Sequence, residues 1–240
     1  MNLCQDDRMN IRTLSLCVGL AAALHAPAHA ARPFITDDAR LTTAGSCQLE
    51  SWRRASTGRV EFWALPACNP TGHLELTLGG AQHHLSDPAA PHEQDAVVQG
   101  KTVWGDLARD GWAWGLAVGV QRHGSNSPQL RSQTDYAYLP LSVALREDRL
   151  VLHTNLGMAR SSATRQTGGT WGAGTEWWLA PRWMLMTEAF GSQTLRPQVQ
   201  AGFRFVILPD LLQVDLTRGG ASRGPGWWSL GLRYTPASLF

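Results

Sequence analysis

The chain has 240 residues and a formal net charge of +2, from 21 lysines and arginines against 19 aspartates and glutamates. So small an excess excludes a protein that binds nucleic acid through a strongly basic surface. All eleven tryptophans lie beyond residue 30, and no run of about 18 apolar residues occurs there, which excludes a spanning helix from that part of the chain.

The N-terminus has the features of a cleaved export signal. Arg12 supplies a positive charge, Leu14 to Ala23 form a short apolar stretch, and Ala28-His29-Ala30 is a small-x-small cleavage site. We therefore predict that residues 1–30 are a signal peptide. Two aspartates precede Met9, so Met9 is a better initiator than Met1, although the sequence does not decide between them.

The mature chain divides into a short N-terminal segment and one membrane domain. Residues 31–44 are predicted to be a periplasmic N-terminal segment, and the sequence leaves open whether they enter the lumen of the following domain. Residues 45–240 contain twelve segments in which apolar and polar residues alternate, the pattern of half-buried strands. They are approximately 46–56, 59–68, 72–82, 97–107, 112–122, 135–145, 149–160, 170–179, 182–190, 198–207, 211–218 and 227–235.

Most of these segments have the length of about 9–11 residues that a tilted strand needs to cross a bilayer. Tight turns such as 69–72, 108–111 and 146–149 alternate with longer polar connections such as 83–96 and 123–134. Outer-membrane barrels combine short periplasmic turns with longer outer loops. The prediction is an all-β fold: a 12-stranded antiparallel up-and-down transmembrane β-barrel in the outer membrane of a Gram-negative bacterium, with both termini in the periplasm.

The first hairpin can be paired from its turn and its cysteines. A two-residue turn at Thr57-Gly58 places Cys47 opposite Cys68, at a non-hydrogen-bonded position suited to a bridge. The same register makes two further pairs, Arg54 with Glu61 and Trp52 with Trp63. Because export leads to an oxidising compartment, we predict a Cys47–Cys68 disulfide, with two free buried thiols as the alternative.

The two faces of the strands predict lipid contact on one side and a polar lumen on the other. In segment 112–122 the large residues from Trp112 to Val120 alternate with alanines and glycines, so the large face should meet lipid. Aromatic residues near strand ends predict two girdles: Trp104, Trp112, Trp177 and Trp183 beside tight turns, Tyr136, Trp171, Trp227 and Trp228 beside long loops, and Tyr234 in the last strand. The predicted lumen-lining residues are Arg54, Glu61, His73, Glu75, Lys101, His153, Glu176, Glu188, Arg204, Asp215 and Arg233.

The last strand alternates from Trp228 to Tyr234 toward a terminal Phe240. This ending resembles the C-terminal signature that the barrel-assembly machinery reads during insertion. Pro236 and Ser238 occupy alternate positions of the signature, so the strand itself is predicted to stop near Tyr234.

Two groups of polar residues are candidates for chemical sites. His123-Gly124-Ser125-Asn126 resembles the His-x-Ser-Asn motif of outer-membrane phospholipase A and of lipid A deacylases, in which His and Ser can serve as base and nucleophile. The face count points His123 and Ser125 inward, so a polar loop is the favoured interpretation and a lipid hydrolase the alternative. His83, His84 and His92 lie with Asp87, Glu93 and Asp95 in the predicted loop 83–96, a set that could bind a metal but lacks rigid ligand spacing, so a solvated loop is the favoured interpretation. We therefore expect no metal and no other cofactor.

The start of the mature chain resembles a family of outer-membrane proteins named for the MetA pathway of phenol degradation. The matching residues are Arg32-Pro33, Thr36-Asp37-Asp38-Ala39, Gly45 and Leu49-Glu50, and ALPACNPTGHLELTLGG resembles the second hairpin of that family. The resemblance implies a barrel that passes small, including aromatic, molecules, and it implies no site residues. We expect a narrow channel or transporter-like barrel in contact with outer-membrane lipids and small solutes; a structural barrel without transport is the remaining alternative.

Overall fold

A computed structural model of the protein describes residues 34–146, 149–193, 196–221 and 224–236. The predicted signal peptide, both candidate initiators and Phe240 lie outside these ranges. None of the helices in the described ranges is long and apolar enough to cross a membrane.

The described chain forms a closed antiparallel barrel of twelve strands, which confirms the predicted fold. Each strand pairs with the next along the chain, and β1 closes the barrel by pairing with β12. The strands are β1 Ser46–Ser56, β2 Arg59–Asn69, β3 Glu75–Leu85, β4 Glu93–Asp106, β5 Trp112–Ser125, β6 Ser132–Leu145, β7 Leu150–Ser161, β8 Thr167–Ala180, β9 Trp183–Ser192, β10 Gln198–Leu208, β11 Leu212–Ala221 and β12 Trp227–Tyr234.

The two ends of the barrel differ, as the alternating connection lengths predicted. We call one end the turn end, because β2–β3 and every second connection after it are short. The β4–β5 turn contains one helical turn, α1 Leu107–Asp110, which Asp106 caps at its N-terminus and Gly111 ends in a left-handed conformation. The opposite, loop end carries the β1–β2 turn and the longer loops, including a 3₁₀ turn at Pro128–Leu130.

The first hairpin has the predicted register. Cys47 lies opposite Cys68, and Arg54 and Trp52 lie opposite their predicted partners. The cysteines form a disulfide with a Cα–Cα distance of 4.0 Å, at the turn end. Trp52 and Trp63 stack with ring centroids 5.4 Å apart, so two apolar rings and a covalent bond hold the pair of strands together.

The outer surface is apolar, with aromatic residues toward both ends. The large residues of β5 face outward, whereas Ala113 and Ala117 point inward and are buried. The exposed outer aromatics include Trp104, Trp112, Trp171, Trp177, Trp183, Trp228 and Tyr234. Two aromatics assigned to the girdles lie inside instead, because their strand positions alternate with the lipid-facing ones: Tyr136 donates to Gln99 Oε1 at 3.1 Å, and Trp227 donates to Gln200 Oε1 at 2.7 Å.

Strands β3 and β4 extend further toward the loop end than the sequence predicted. Strand β3 runs to Leu85, and β4 already begins at Glu93. The loop expected over 83–96 is therefore reduced to 86–92. As a result His83, Glu93 and Asp95 lie on paired strands and not in the predicted loop.

Candidate functional site

The interior of the barrel is a dense set of charged and polar side chains. Of the predicted lumen-lining residues, those buried inside are Glu75, Lys101, His153, Glu176, Glu188, Arg204, Asp215 and Arg233. Arg54 and Glu61 also point inward near the loop end, with 3.8 Å between Arg54 Nη1 and Glu61 Oε2. His73 is the exception: it lies in the β2–β3 turn before β3 begins, and it is exposed.

Arg204 is the centre of the deepest group of charges. Its guanidinium binds both oxygens of Asp215, at 2.9 Å from Nε and 3.1 Å from Nη2. Its Nη1 donates to Glu176 Oε1 at 3.1 Å. All three side chains are about 1 % exposed, so each charge is stabilised by its partners and not by water. The Arg204–Asp215 pair is bidentate. Removing any one of the three would leave an unpaired buried charge.

The N-terminal residues Phe34–Gly45 run through the barrel interior, and we call them the lumen segment. At its start, the backbone N–H groups of Ile35 and Thr36 donate to the Glu188 carboxylate at 2.8–3.1 Å. Further along, Ala39 N donates to Ser142 Oγ at 2.8 Å. Near the turn end, Thr42 N donates to Glu75 Oε2 at 2.7 Å. Residues on well-separated strands thus accept the backbone donors of one segment.

Side chains of the lumen segment join the charges of the wall. Arg40 Nη1 donates to Glu176 Oε2 at 3.0 Å, and Asp37 accepts from Lys101 Nζ at 3.2 Å and from the Tyr138 hydroxyl at 2.6 Å. Asp38 belongs to the lumen segment and not to a strand. Burial opposes its ionisation, but the nearby Lys101 and Arg40 outweigh burial and hold the pKa of Asp38 at about 2.

The lumen segment leaves little free space beside it. The cavity lined by Asp37, Arg40, Glu75 and Lys101, among others, has a volume of about 20 Å³, which is close to the space that one water molecule needs. At this level the barrel is therefore filled by protein.

Sequence reasoning missed several members of this interior. Glu50 is buried on the same face of β1 as Trp52 and Arg54, and strand alternation could have found it. Tyr138 and Ser142 lie on the inner face of β6, but their role depends on contacts with residues more than 100 positions away, for which a single sequence gives no signal.

The loop end opens into a pocket of about 680 Å³, which we call the vestibule. Its lining includes His83, His92, Glu93, Ser125, Asn126 and Arg131. Beside it, Asp95 joins two histidines of neighbouring strands: Oδ2 lies 2.8 Å from His83 Nε2 and Oδ1 lies 2.9 Å from His123 Nδ1. These three side chains offer ligand atoms within 4.8 Å of one another.

Ser125 lines the vestibule, and His123 lies beside it against Asp95 and His83, so neither side chain faces lipid. Asp95 orients the His123 ring through Nδ1, as a carboxylate does for a catalytic base. Ser125 Oγ, however, accepts a hydrogen bond from Ser127 N at 3.1 Å, and Ser125 O accepts one from Arg131 Nε at 2.8 Å. A lipid ester in the surrounding bilayer would not reach this inner face.

A closed twelve-stranded barrel with an apolar belt, outer aromatics and a charged interior is an outer-membrane β-barrel of the Gram-negative type. Within this class, residues 19–233 match the sequence model of a family described as uncharacterised conserved protein UCP029691. The chain belongs to that family. No curated protein matches the chain.

Solved outer-membrane barrels share the fold at low sequence identity. A KdgM porin in complex with disordered oligogalacturonate is similar with a TM-score of 0.60 and 10% identity, over 78% of this chain and 98% of that chain. The COG4313 outer membrane channel from Pseudomonas putida F1 has a TM-score of 0.57 and 12% identity, over 82% and 97%. Outer membrane phospholipase A from Escherichia coli has a TM-score of 0.51 and 9% identity, over 83% and 93%. At these identities the likeness concerns the fold alone.

Proposed function

We propose that the protein is a narrow outer-membrane channel for small solutes, and that the lumen segment closes it in the conformation described above. The observation that carries the proposal is the way this segment is held. It lies inside the barrel through hydrogen bonds and ion pairs with the wall, and it is not a strand of the sheet. A segment of this kind can leave while the twelve-stranded ladder stays intact.

The inner wall suits the passage of polar or charged molecules once the segment moves. Basic and acidic side chains face the lumen together, for example Lys101 with Glu75 at 3.6 Å and Arg204 with Asp215 at 2.9 Å. Pores that select solutes use such inward-facing charges. The similarity to channel porins supports transport, and the resemblance to the proteins named for the MetA pathway supports small aromatic molecules as the solutes to test first.

The test is single-channel conductance of the full mature chain in planar bilayers, compared with a variant that lacks residues 34–44. We expect small or rare current steps from the full chain and larger, sustained steps from the variant, because the deletion empties the lumen. Heat-modifiable migration on gels verifies that both barrels are folded. If neither folded protein conducts or takes up solutes, the barrel is structural and the channel proposal fails.

The lipid hydrolase alternative has its own measurement. Hydrolysis of phospholipid by the full chain, lost in Ser125→Ala, would replace the channel proposal. We expect no such activity, since Ser125 faces the vestibule and His123 is held against Asp95, both away from the surrounding lipid. Insertion through the barrel-assembly machinery, expected from the Phe240 ending, stays a prediction.

A further inference from the structure

The loop end holds a second arrangement of polar groups that the channel proposal does not use: His83, Asp95 and His123, on the adjacent strands β3, β4 and β5. We propose that these three residues bind a divalent transition-metal ion such as Zn²⁺ at the edge of the vestibule. Two imidazole nitrogens and a carboxylate oxygen form a ligand set typical of such ions, whereas Ca²⁺ and Mg²⁺ prefer oxygen ligands alone.

The ligand atoms are already gathered by the sheet. Asp95 on β4 lies directly opposite His123 on β5. On its other side, Asp95 lies opposite Ala81 of β3, and His83 follows Ala81 by two residues on the same face of that strand. A tetrahedral Zn²⁺ with bonds of about 2.0–2.1 Å needs its ligand atoms roughly 3.3 Å apart, and here all three lie within 4.8 Å of one another. Side-chain rotations alone can close this difference, and water from the vestibule would fill the fourth position.

Glu93 favours binding through His123. If the ion takes Nδ1 of His123, the ring proton moves by exchange with water to Nε2, which lies 4.0 Å from Glu93 Oε2. That carboxylate oxygen is buried and already lies 3.1 Å from Arg59 Nη1. A carboxylate oxygen can accept more than one donor, so it can also receive the His123 N–H. A second carboxylate that accepts the remaining N–H of a ligating histidine is a common support of metal sites.

Arg59 opposes metal binding through His83, so the proposal predicts a distinct effect of replacing Arg59. Arg59 Nη2 lies 2.7 Å from His83 Nδ1, and a guanidinium can only donate. His83 therefore now carries its proton on Nε2, where it donates to Asp95. An ion on Nε2 would move this proton to Nδ1, directly against the Arg59 donor. Binding thus requires Arg59 to turn away, toward Glu61 or Glu93, each of which it already contacts at 3.1 Å.

The experiment is calorimetric titration of Zn²⁺ into the metal-stripped full mature chain in detergent, with Co²⁺ absorption as a probe of coordination. We expect one ion per chain. His83→Gln and His123→Gln should weaken binding at least about tenfold, the size of effect seen even for supporting residues of metal sites. His84→Gln is the matched control: His84 is the next residue of β3, points outward against Phe62 and is exposed, so affinity should not change.

Arg59→Gln separates a metal site from a general loss of structure. Removing the donor and its charge should tighten Zn²⁺ binding roughly fivefold, the effect of one like charge a few ångströms away in water, a gain that misfolding cannot produce. The proposal is wrong if the wild-type chain binds no Zn²⁺, if His84→Gln weakens binding as much as His83→Gln, or if Arg59→Gln lowers the affinity.

Discussion

At the scale of single residues, Gly172 is a wall position that faces Thr36 of the lumen segment and leaves no room for a side chain. A Cβ atom placed there would lie 2.6 Å from Thr36 Oγ1, and one at Gly174 would lie 3.6 Å from Thr36 Cβ. Real Cβ atoms essentially never lie closer than about 3.0 Å to another heavy atom, so any side chain at position 172 must displace Thr36. The small inner residues of β8 therefore provide the room that the lumen segment occupies.

This contact gives a prediction for Gly172→Val. The added methyl groups should push Thr36 away from β8, since a segment held by a few hydrogen bonds yields more easily than a paired strand. We expect more frequent channel openings in planar bilayers and a loss of about 1–3 kcal/mol of unfolding free energy in urea, the usual cost of overpacking.

The control for this change is Gly100→Val on β4. A Cβ atom at Gly100 meets only Leu76 and Leu74 carbons at 3.8–3.9 Å, which is ordinary contact. Gly100→Val should therefore keep the stability and the opening frequency of the parent chain. Equal behaviour of the two variants would show that the contact between Gly172 and Thr36 does not hold the segment.

At the scale of structural elements, the first hairpin was the most predictable part of the chain. A two-residue turn has few geometries, and once it is placed, its register fixes every cross-strand pair. The pairing of Cys47 with Cys68 followed from this register, and the oxidising compartment reached by export made a disulfide the expected outcome. The boundaries of β3 and β4 could not be predicted in the same way. Polar residues such as His83 and Asp95 are loop-like in composition, but inside a wet barrel they are ordinary inner-face residues.

The disulfide gives an element-scale prediction for Cys47→Ser combined with Cys68→Ser. The bond links residues 21 positions apart. Closing a loop of this length lowers the entropy of the unfolded chain and so stabilises the folded state by about 3 kcal/mol. We expect a lower temperature for the change from folded to unfolded migration on gels. Reductant should lower that temperature in the parent chain and leave the double variant unchanged. A parent chain that is insensitive to reductant would show that strand pairing alone fixes the hairpin.

At the scale of the whole molecule, the sequence predicted the inner and outer faces but not the filled lumen. Alternation assigns a side chain to one face of a strand, and that rule places Glu176, Arg204 and Asp215 inside. It carries no information about a segment that contributes no strand. The lumen segment binds Glu188 and Ser142, which follow it by more than 100 residues, and only the closed barrel brings these groups together.

The two ends of the barrel also predict how the molecule sits in the outer membrane. Gly45, just before β1, donates to Asn69 O, and Thr235, just after β12, donates to Leu211 O, so the start of β1 and the end of β12 both lie at the turn end. Exported chains meet the membrane from the periplasm, and outer-membrane barrels keep their short turns there. The vestibule should therefore face the outside of the cell.

Single cysteines on the two ends test this orientation. Ala89 lies in the β3–β4 loop and Ala108 lies in α1 at the turn end, and both residues are exposed. Each is replaced by cysteine in a separate variant. A membrane-impermeant maleimide should label Ala89→Cys on intact cells and label Ala108→Cys only after the outer membrane is opened. The paired Cys47 and Cys68 do not react, so the signal reports the introduced thiol. The opposite pattern would turn the vestibule and its His83–Asp95–His123 group toward the periplasm, where external metal ions would reach that group only by crossing the lumen segment.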